Sequence, residues 1–307
     1  MTEPESQIDL TSLATEQRNP ASAQLDLLDT LEIVRVINDQ DRLVAEAVAR
    51  ELPAIAAAVD ILVEAIRAGG RLIYIGAGTS GRLGVLDASE CPPTYNTDPA
   101  MVVGLIAGGD HALRHSIEHV EDQPREGAAA LKGVNLNARD VVVGIAASGR
   151  TPFVRGAFKY AKEVGATTIA LSNSPASALS RVASVSIAPV VGPEVVTGST
   201  RMKAGTAQKM VLNMLSTATM VKLGKTYGNL MVDVQPKNAK LRERAVGIVR
   251  DAADATDDEA RTALAAADGE VKTAIVALRA GVPTDEARTR LTSAGGVLRV
   301  ALDEAIQ

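Results

Sequence analysis

The sequence predicts an α/β protein, a three-layer sandwich on a five-stranded parallel sheet, with helices before it and a small helical bundle after it. Three observations carry this reading. Between residue 71 and about residue 235, five short apolar runs alternate with helix-compatible segments. Each run is apolar on both alternate positions, as in parallel strands covered on both faces. Alternation of this kind implies right-handed crossovers that place helices on both sides of the sheet.

Each element has its own local reason. Residues 1–20 read as a mobile arm ending in TEQRNP. Residues 22–68 are helical, with one apolar stripe at Leu28, Leu31, Val34 and Ile37 and another at Val44, Val48, Leu52, Ile55 and Val59. Gly69 and Gly70 stop that run. The strands are expected at 72–75, 101–106, 141–146, 167–171 and 185–189, and a long apolar helix at 210–223. Beyond about residue 240 the strands cease. Thr256 and Glu259 form a capping box opening a short helix, Gly281 ends another, Thr284 starts the next, and Gly295 and Gly296 set off the last. The expected organisation is therefore an arm at 1–20, the α/β domain with its leading helices at 21–238, and a small helical domain at 239–307.

Composition excludes several classes of function. The 307 residues hold 32 Lys and Arg against 37 Asp and Glu, a net charge of -5. That balance lacks the basic face of a nucleic-acid binder, and aromatics at 2 % with no Trp offer no base-stacking platform. One cysteine, Cys91, precludes an internal disulfide and suits a reducing compartment. The opening MTEPESQIDL is acidic and unlike a signal peptide, and no run of 18 apolar residues is present. A cytoplasmic protein without a membrane partner is expected.

Chemistry is expected beyond the carboxyl ends of the strands, where such sheets bind ligands. The first strand runs into GAGTSG at 76–81 and then a helix. Gly78, Thr79 and Ser80 thus open a helix whose free N–H groups and dipole favour an anion. Gly76, Gly78 and Gly81 also fit the dinucleotide fingerprint, but the acid it requires about 20 residues on is missing, since the next strand closes only at Asp110. Hydroxyls at the helix start suit a phosphate monoester better. The third strand ends in ASGRTP at 147–152, a second turn of the same kind with Ser148, Gly149, Arg150 and Thr151 before a proline suited to a first helical turn. Two such turns suggest one phosphate between two helix N-termini, although Ser148 and Thr151 also suit plain helix capping. The loop at 192–206 carries Glu194, Ser199 and Lys203 and reads as a wall of the site, or as a helix start capped by Ser199 or Thr200. Glu90 lies just before Cys91, Pro92 and Pro93, in the expected last turn of its helix, where the dipole disfavours a charged carboxylate. His111, His115 and His119 are spaced as one helical stripe. A solvated or interface face is the plainer reading, and no metal is expected. Glu118 and Glu121, one turn apart, are both candidates to face the end of the second strand.

These strings resemble the N-acetylmuramic acid 6-phosphate etherases, a branch of the sugar isomerase (SIS) domain proteins. The resemblance covers residues 76–93, VGLIAGG at 103–109, VVGIAASGRTP at 142–152, residues 194–208 and GNLMVDV at 228–234. It extends from about Thr15 to the C-terminus. It implies a carbon–oxygen lyase that converts the muramic sugar phosphate and water to N-acetylglucosamine 6-phosphate and D-lactate. It further implies Glu90 as the proton donor, Glu121 as the base, no metal, nucleotide or other cofactor, and a homodimer with its site near the subunit interface. Two alternatives stay open: an aldose–ketose sugar-phosphate isomerase of the same fold with Glu194 as its base, and a non-catalytic sugar-phosphate sensor.

Overall fold

The computed structural model describes residues 14–234 and 239–304. The described residues fall into two compact units, one within residues 1–89 and 100–216, the other within 90–99 and 217–307. The first opens with short 3-10 turns, Ala14–Glu16, Pro20–Ser22 and Leu25–Leu27. Helices α1 (Thr30–Ala49) and α2 (Leu52–Arg67) follow. Asp29 and Glu32 make a reciprocal capping box at the start of α1, and the chain breaks at Arg50 and Glu51 before Pro53 opens the first turn of α2. Then come β1 (Leu72–Gly76), α3 (Gly78–Tyr95), β2 (Val102–Ile106), α4 (His111–Arg114), α5 (Pro124–Gly133), β3 (Val141–Ile145), α6 (Pro152–Val164), β4 (Thr167–Leu171), β5 (Val185–Ile187) and α7 (Lys203–Lys222). Two of the unit boundaries fall inside α3 and α7, and the third falls between α3 and β2.

The sheet order is β2-β1-β3-β4-β5, and every pairing is parallel. All five residues of β1 and of β3 are buried, as expected of central strands covered on both faces. On one face Ile73, Ile75 and Val142 pack against Phe153, Val154, Ala157, Phe158 and Leu131 from α5 and α6. At the far end from the candidate site, Asp140 ties β3 to β1. Its carboxylate accepts from the Arg71 backbone N–H (3.0 Å), from Arg71 Nη2 (2.7 Å) and from Asn137 N–H (3.0 Å).

Helix α3 departs from the sequence expectation. It does not end at Glu90 but continues through Pro92 and Pro93 to Tyr95. Each proline removes one i→i−4 bond, yet the Asn96 N–H still closes the last turn on Pro92 O (3.0 Å). Glu90 therefore stands in the body of the helix, a full turn before its end.

The second unit holds α8 (Ala239–Ala253), α9 (Asp257–Ala266), α10 (Val271–Ala280), α11 (Thr284–Ser293) and α12 (Leu298–Ala301). Their apolar faces form one core with Val249, Ala260, Ala274, Ile275, Ala287 and Leu298 at its centre. The capping box at Thr256 and Glu259 is present, and Gly281 closes α10 in the left-handed conformation. No helix among the described residues is long and apolar enough to cross a membrane.

Candidate functional site

The sheet register brings the two hydroxyl-bearing turns together. Gly76, the last residue of β1, pairs with Ile145, the last residue of β3. These strands flank the point where the strand order reverses, and the loops beyond them diverge to leave a crevice. At the first turn α3 starts directly against the strand end: a Cβ on Gly81 would lie 2.7 Å from Gly76 O and from Ile106 Cγ1. The Gly81 N–H bonds Ala77 O (3.2 Å) and is the first to enter the helical ladder. The N–H groups of Gly78, Thr79 and Ser80 precede it and have no i−4 partner in the helix, an arrangement that attracts an anion.

The second turn is built the same way. Ser148 Oγ accepts from the Arg150 N–H (3.3 Å), which leaves its own hydroxyl proton free. Gly149 has φ +63, and a Cβ there would lie 2.3 Å from Ser177 Cβ and Oγ. Thr151 stands at the N-cap of α6 but makes no capping bond with its side chain, so its hydroxyl stays available. The reading of Thr151 as a plain capping residue thus lacks its defining hydrogen bond.

Both turns open on a cavity of about 780 Å³. Gly78, Thr79, Ser80, Ser148, Arg150, Thr151 and Glu121 line it. Glu121 sits in a 3-10 turn, Val120–Asp122, and Glu118 is not among the lining residues. Arg155, Arg181, Asp122 and Glu16 also line the cavity and were not singled out in the sequence, and so does Thr200, which was read there only as a possible helix cap. The only sequence signal for Arg155 is its place in the first turns of the helix behind the second loop. Glu16 belongs to the segment read as an arm.

The hydroxyls are not equivalent. Ser80 is buried and donates its proton to Gln208 Oε1 (2.9 Å). Gln208 Nε2 donates to Asn173 Oδ1 (3.2 Å), and Asn173 Nδ2 donates to Pro189 O (3.0 Å). This directed chain fixes Ser80 and engages its hydroxyl proton, so Ser80 offers the cavity its backbone N–H. Within the two turns, Thr79, Ser148 and Thr151 hold the hydroxyl protons that remain.

Glu194, Ser199 and Lys203 do not line the cavity. Glu194 is fully buried, and its two oxygens accept from the Lys203 N–H (3.0 Å) and the Ala204 N–H (2.9 Å). It thus caps α7, in place of the Ser199 or Thr200 cap expected from sequence. Lys203 Nζ donates to Gln40 Oε1 (3.0 Å), and burial pulls its ammonium below the usual lysine range, opposed by Glu194 and Asp41. Ser199 is half-buried in the turn before α7.

The three histidines do not form a helical stripe. Helix α4 lasts only four residues, His115 is extended, and His119 has φ +64. The rings of His111 and His115 stack 4.5 Å apart. Among the described residues no three His, Cys, Asp or Glu side chains gather as metal ligands. Glu90 is exposed and is not a lining residue of the cavity. One turn before it, Asp87 is buried. Burial pushes its carboxyl above the usual range, against hydrogen bonds from Tyr74, Ser216 and Asn213.

A second cavity, of about 660 Å³, lies within the second unit. Its Lys272 and Lys225 both pair with Asp233 (2.8 and 3.2 Å), which leaves it no strong field for an anion.

A parallel sheet in this order, with two hydroxyl-glycine turns converging at its switch point, defines a doubly wound α/β domain with a candidate anion site between its two central strands. The SIS domain family matches residues 118–218, and the glucokinase regulatory protein N-terminal SIS domain matches residues 54–162. Whole-length relatives narrow this. The N-acetylmuramic acid 6-phosphate etherase of Photorhabdus laumondii is 58 % identical over 275 residues, 90 % of this chain and 91 % of that protein. That of Jannaschia sp. is 60 % identical over 269 residues, 88 % of this chain and 85 % of that protein. That of Brucella anthropi is 56 % identical over 303 residues, 99 % of each. The chain belongs to the N-acetylmuramic acid 6-phosphate etherase family.

Proposed function

We infer that the protein is an etherase that cleaves the lactyl ether of N-acetylmuramic acid 6-phosphate, giving N-acetylglucosamine 6-phosphate and D-lactate in the recycling of cell-wall sugar. The observation that carries the reading is the cavity between the two turns. It presents three unpaired helix N–H groups and free hydroxyls to a phosphate, with Glu121 on its wall. Identity of 56–60 % to etherases over most of the chain supports the same activity.

The chemistry assigns each group a task. In the open-chain sugar the C1 aldehyde acidifies the proton on C2. Glu121 removes that proton, and the lactyl oxygen on C3 leaves as Glu90 protonates it. Water then adds at C3 of the unsaturated aldehyde, which restores the hydroxyl and completes the balance. An acid and a base in unlike surroundings suit this pair of steps, each contributing about 10²- to 10⁴-fold. Gly78, Thr79, Ser80 and the turn at Ser148, Gly149, Arg150 and Thr151 hold the phosphate. Glu194, Ser199 and Lys203 act from behind, by fixing the start of α7 and the loop that reaches Thr200.

A homodimer completes the proposal. Leu27 in the 3-10 turn before α1, and Leu31 and Val34 in α1, are 75 %, 54 % and 51 % exposed. Exposed apolar side chains of this kind suit a second copy of the chain, and on this reading Glu90 serves the partner's site. The cytoplasm is the fitting location for a chain with one buried cysteine.

Lactate release from the muramic sugar phosphate tests the activity. Glu90→Ala is expected to abolish lactate release while leaving exchange of the C2 proton with solvent. Loss of both in a folded protein overturns the division of labour, and a ketose product without lactate overturns the etherase.

A further inference from the structure

We propose that Glu16 is a substrate-binding residue of this cavity, accepting hydrogen bonds from the hydroxyl and amide N–H donors of the bound sugar. The identity of that sugar rests on the etherase reading above.

Glu16 lines the cavity and is half-buried there. Among the described residues it has no hydrogen-bond or ion-pair partner, so its acceptor capacity is unused. The segment that carries it is anchored. Thr15 is buried. Asn19 donates to Gln40 Oε1 (2.8 Å) and to Pro193 O (3.0 Å), and Ser22 Oγ donates to Val195 O (2.7 Å). These bonds latch the chain just after Glu16 onto the loop that leads to Thr200. On that loop Gly198, at φ +76, has no Cβ to intrude: one would stand 3.2 Å from Glu16 Oε2.

The chemistry of the cavity leaves one role for such a group. Helix N–H groups, hydroxyls and the guanidinium of Arg150 are donors, matched to a phosphate that only accepts. A sugar also brings its own O–H and N–H donors, which lose water on binding and need acceptors. The carboxylates on the wall are Glu16, Glu121 and Asp122. Glu121 has the task of base in the reading above, and Asp122 lies 4.0 Å from His119 Nδ1. Glu16 is the one whose position is built by an anchored loop and whose oxygens are uncommitted. A carboxylate there distinguishes a sugar phosphate from a bare phosphate, which the cradle binds without it.

The test compares Glu16→Gln with the wild type by calorimetric titration of N-acetylglucosamine 6-phosphate and, separately, of inorganic phosphate. Glu16→Gln is expected to weaken the sugar phosphate by about 10- to 100-fold, the range for a hydrogen bond to a charged group. Inorganic phosphate affinity and the melting temperature stay as in the wild type, and KM for the muramic sugar phosphate rises more than kcat falls. Unchanged binding of both ligands overturns the proposal. So does equal weakening of both with a lowered melting temperature, the outcome of a structural role, and so does a wild type that binds the sugar phosphate no tighter than phosphate. A wild type that releases no lactate refutes the etherase reading instead, and the binding comparison still decides Glu16.

Discussion

Replacing Gln208 with leucine will cost the protein stability and loosen its grip on phosphate, although Gln208 itself faces the cavity's back wall. The side chain is 1 % exposed and joins Ser80 Oγ to Asn173 Oδ1 at 2.9 and 3.2 Å. Leucine has a similar volume, so the change removes polar atoms rather than opening a hole. It leaves the Ser80 hydroxyl and the Asn173 carbonyl oxygen buried without partners. Each such orphan costs about 1–3 kcal/mol, and leucine's apolar contacts offset part of that, leaving a loss of about 2–4 kcal/mol. For a domain of this size about 2–4 °C of melting temperature follow each kcal/mol, so the midpoint falls by about 4–16 °C. Ser80 also gains freedom to rotate, which weakens inorganic phosphate as a competitive inhibitor by about 2- to 10-fold, the worth of one ordinary hydrogen bond. Thermal unfolding and inhibition by phosphate measure the two effects. A Gln208→Leu protein that melts and binds phosphate like the wild type refutes the claim that this chain of bonds fixes the cradle.

Two further outcomes follow from other parts of the molecule. Burial would raise the Asp140 carboxyl, but Arg71 and the Asn137 N–H hold it below the usual range. Its contribution is therefore present above the unfolded value of about 3.9 and is lost as pH falls through the lower folded value. Asp140→Asn should be less stable than the wild type in urea at pH 7, and the gap should narrow as pH falls below about 4 and close below the lower folded value. A gap that persists there would exclude the ion pair as its cause. For the dimer, mixing subunits of Glu90→Ala and Glu121→Ala by joint refolding should restore lactate release to about a quarter of the wild type, because half the dimers are mixed and each of those has one intact site. No recovery would mean that both carboxylates act within one chain.

Much of this was legible in the sequence because the signals were local. The strands declared themselves by apolar runs, and both turns at 76–81 and 147–152 by glycine and hydroxyl spacing. The capping box at Thr256 and Glu259 needed only its own four residues. What was not legible depends on distant partners. Leu31 and Val34 form a true apolar stripe, but their exposure shows only when the fold is assembled. Glu194 was read as a wall because a buried carboxylate satisfied by two helix N–H groups looks, in sequence, like any loop acid. The histidine spacing of four promised a helix that ends after Arg114, since Gly108 and Gly109 before it and an extended His115 after it leave room for a single turn. Glu16 was hidden by its neighbours, whose polarity reads as an arm until Asn19 and Ser22 find their carbonyls 174 and 173 residues away.

Helix α3 ties these strands of argument together. Its first turn supplies the cradle, and Glu90 follows Ser80 by ten residues, about 15 Å of helical rise. That exceeds the length of a hexose, so an acid at Glu90 acting on a sugar held at Ser80 of the same chain would be out of reach along the helix. A second copy removes the difficulty. Leu86, one turn before Glu90 and on the same helical face, is 49 % exposed. A partner that covers this face takes Leu86 out of water and strips water from Glu90 with it. The contact that covers Leu86 is then the one that would carry Glu90 to a partner's site. Glu121 is exposed at a cavity that Arg150, Arg155 and Arg181 also line. On the proposed dimer the two carboxylates of each site come from different copies of the chain, which the subunit-mixing experiment decides.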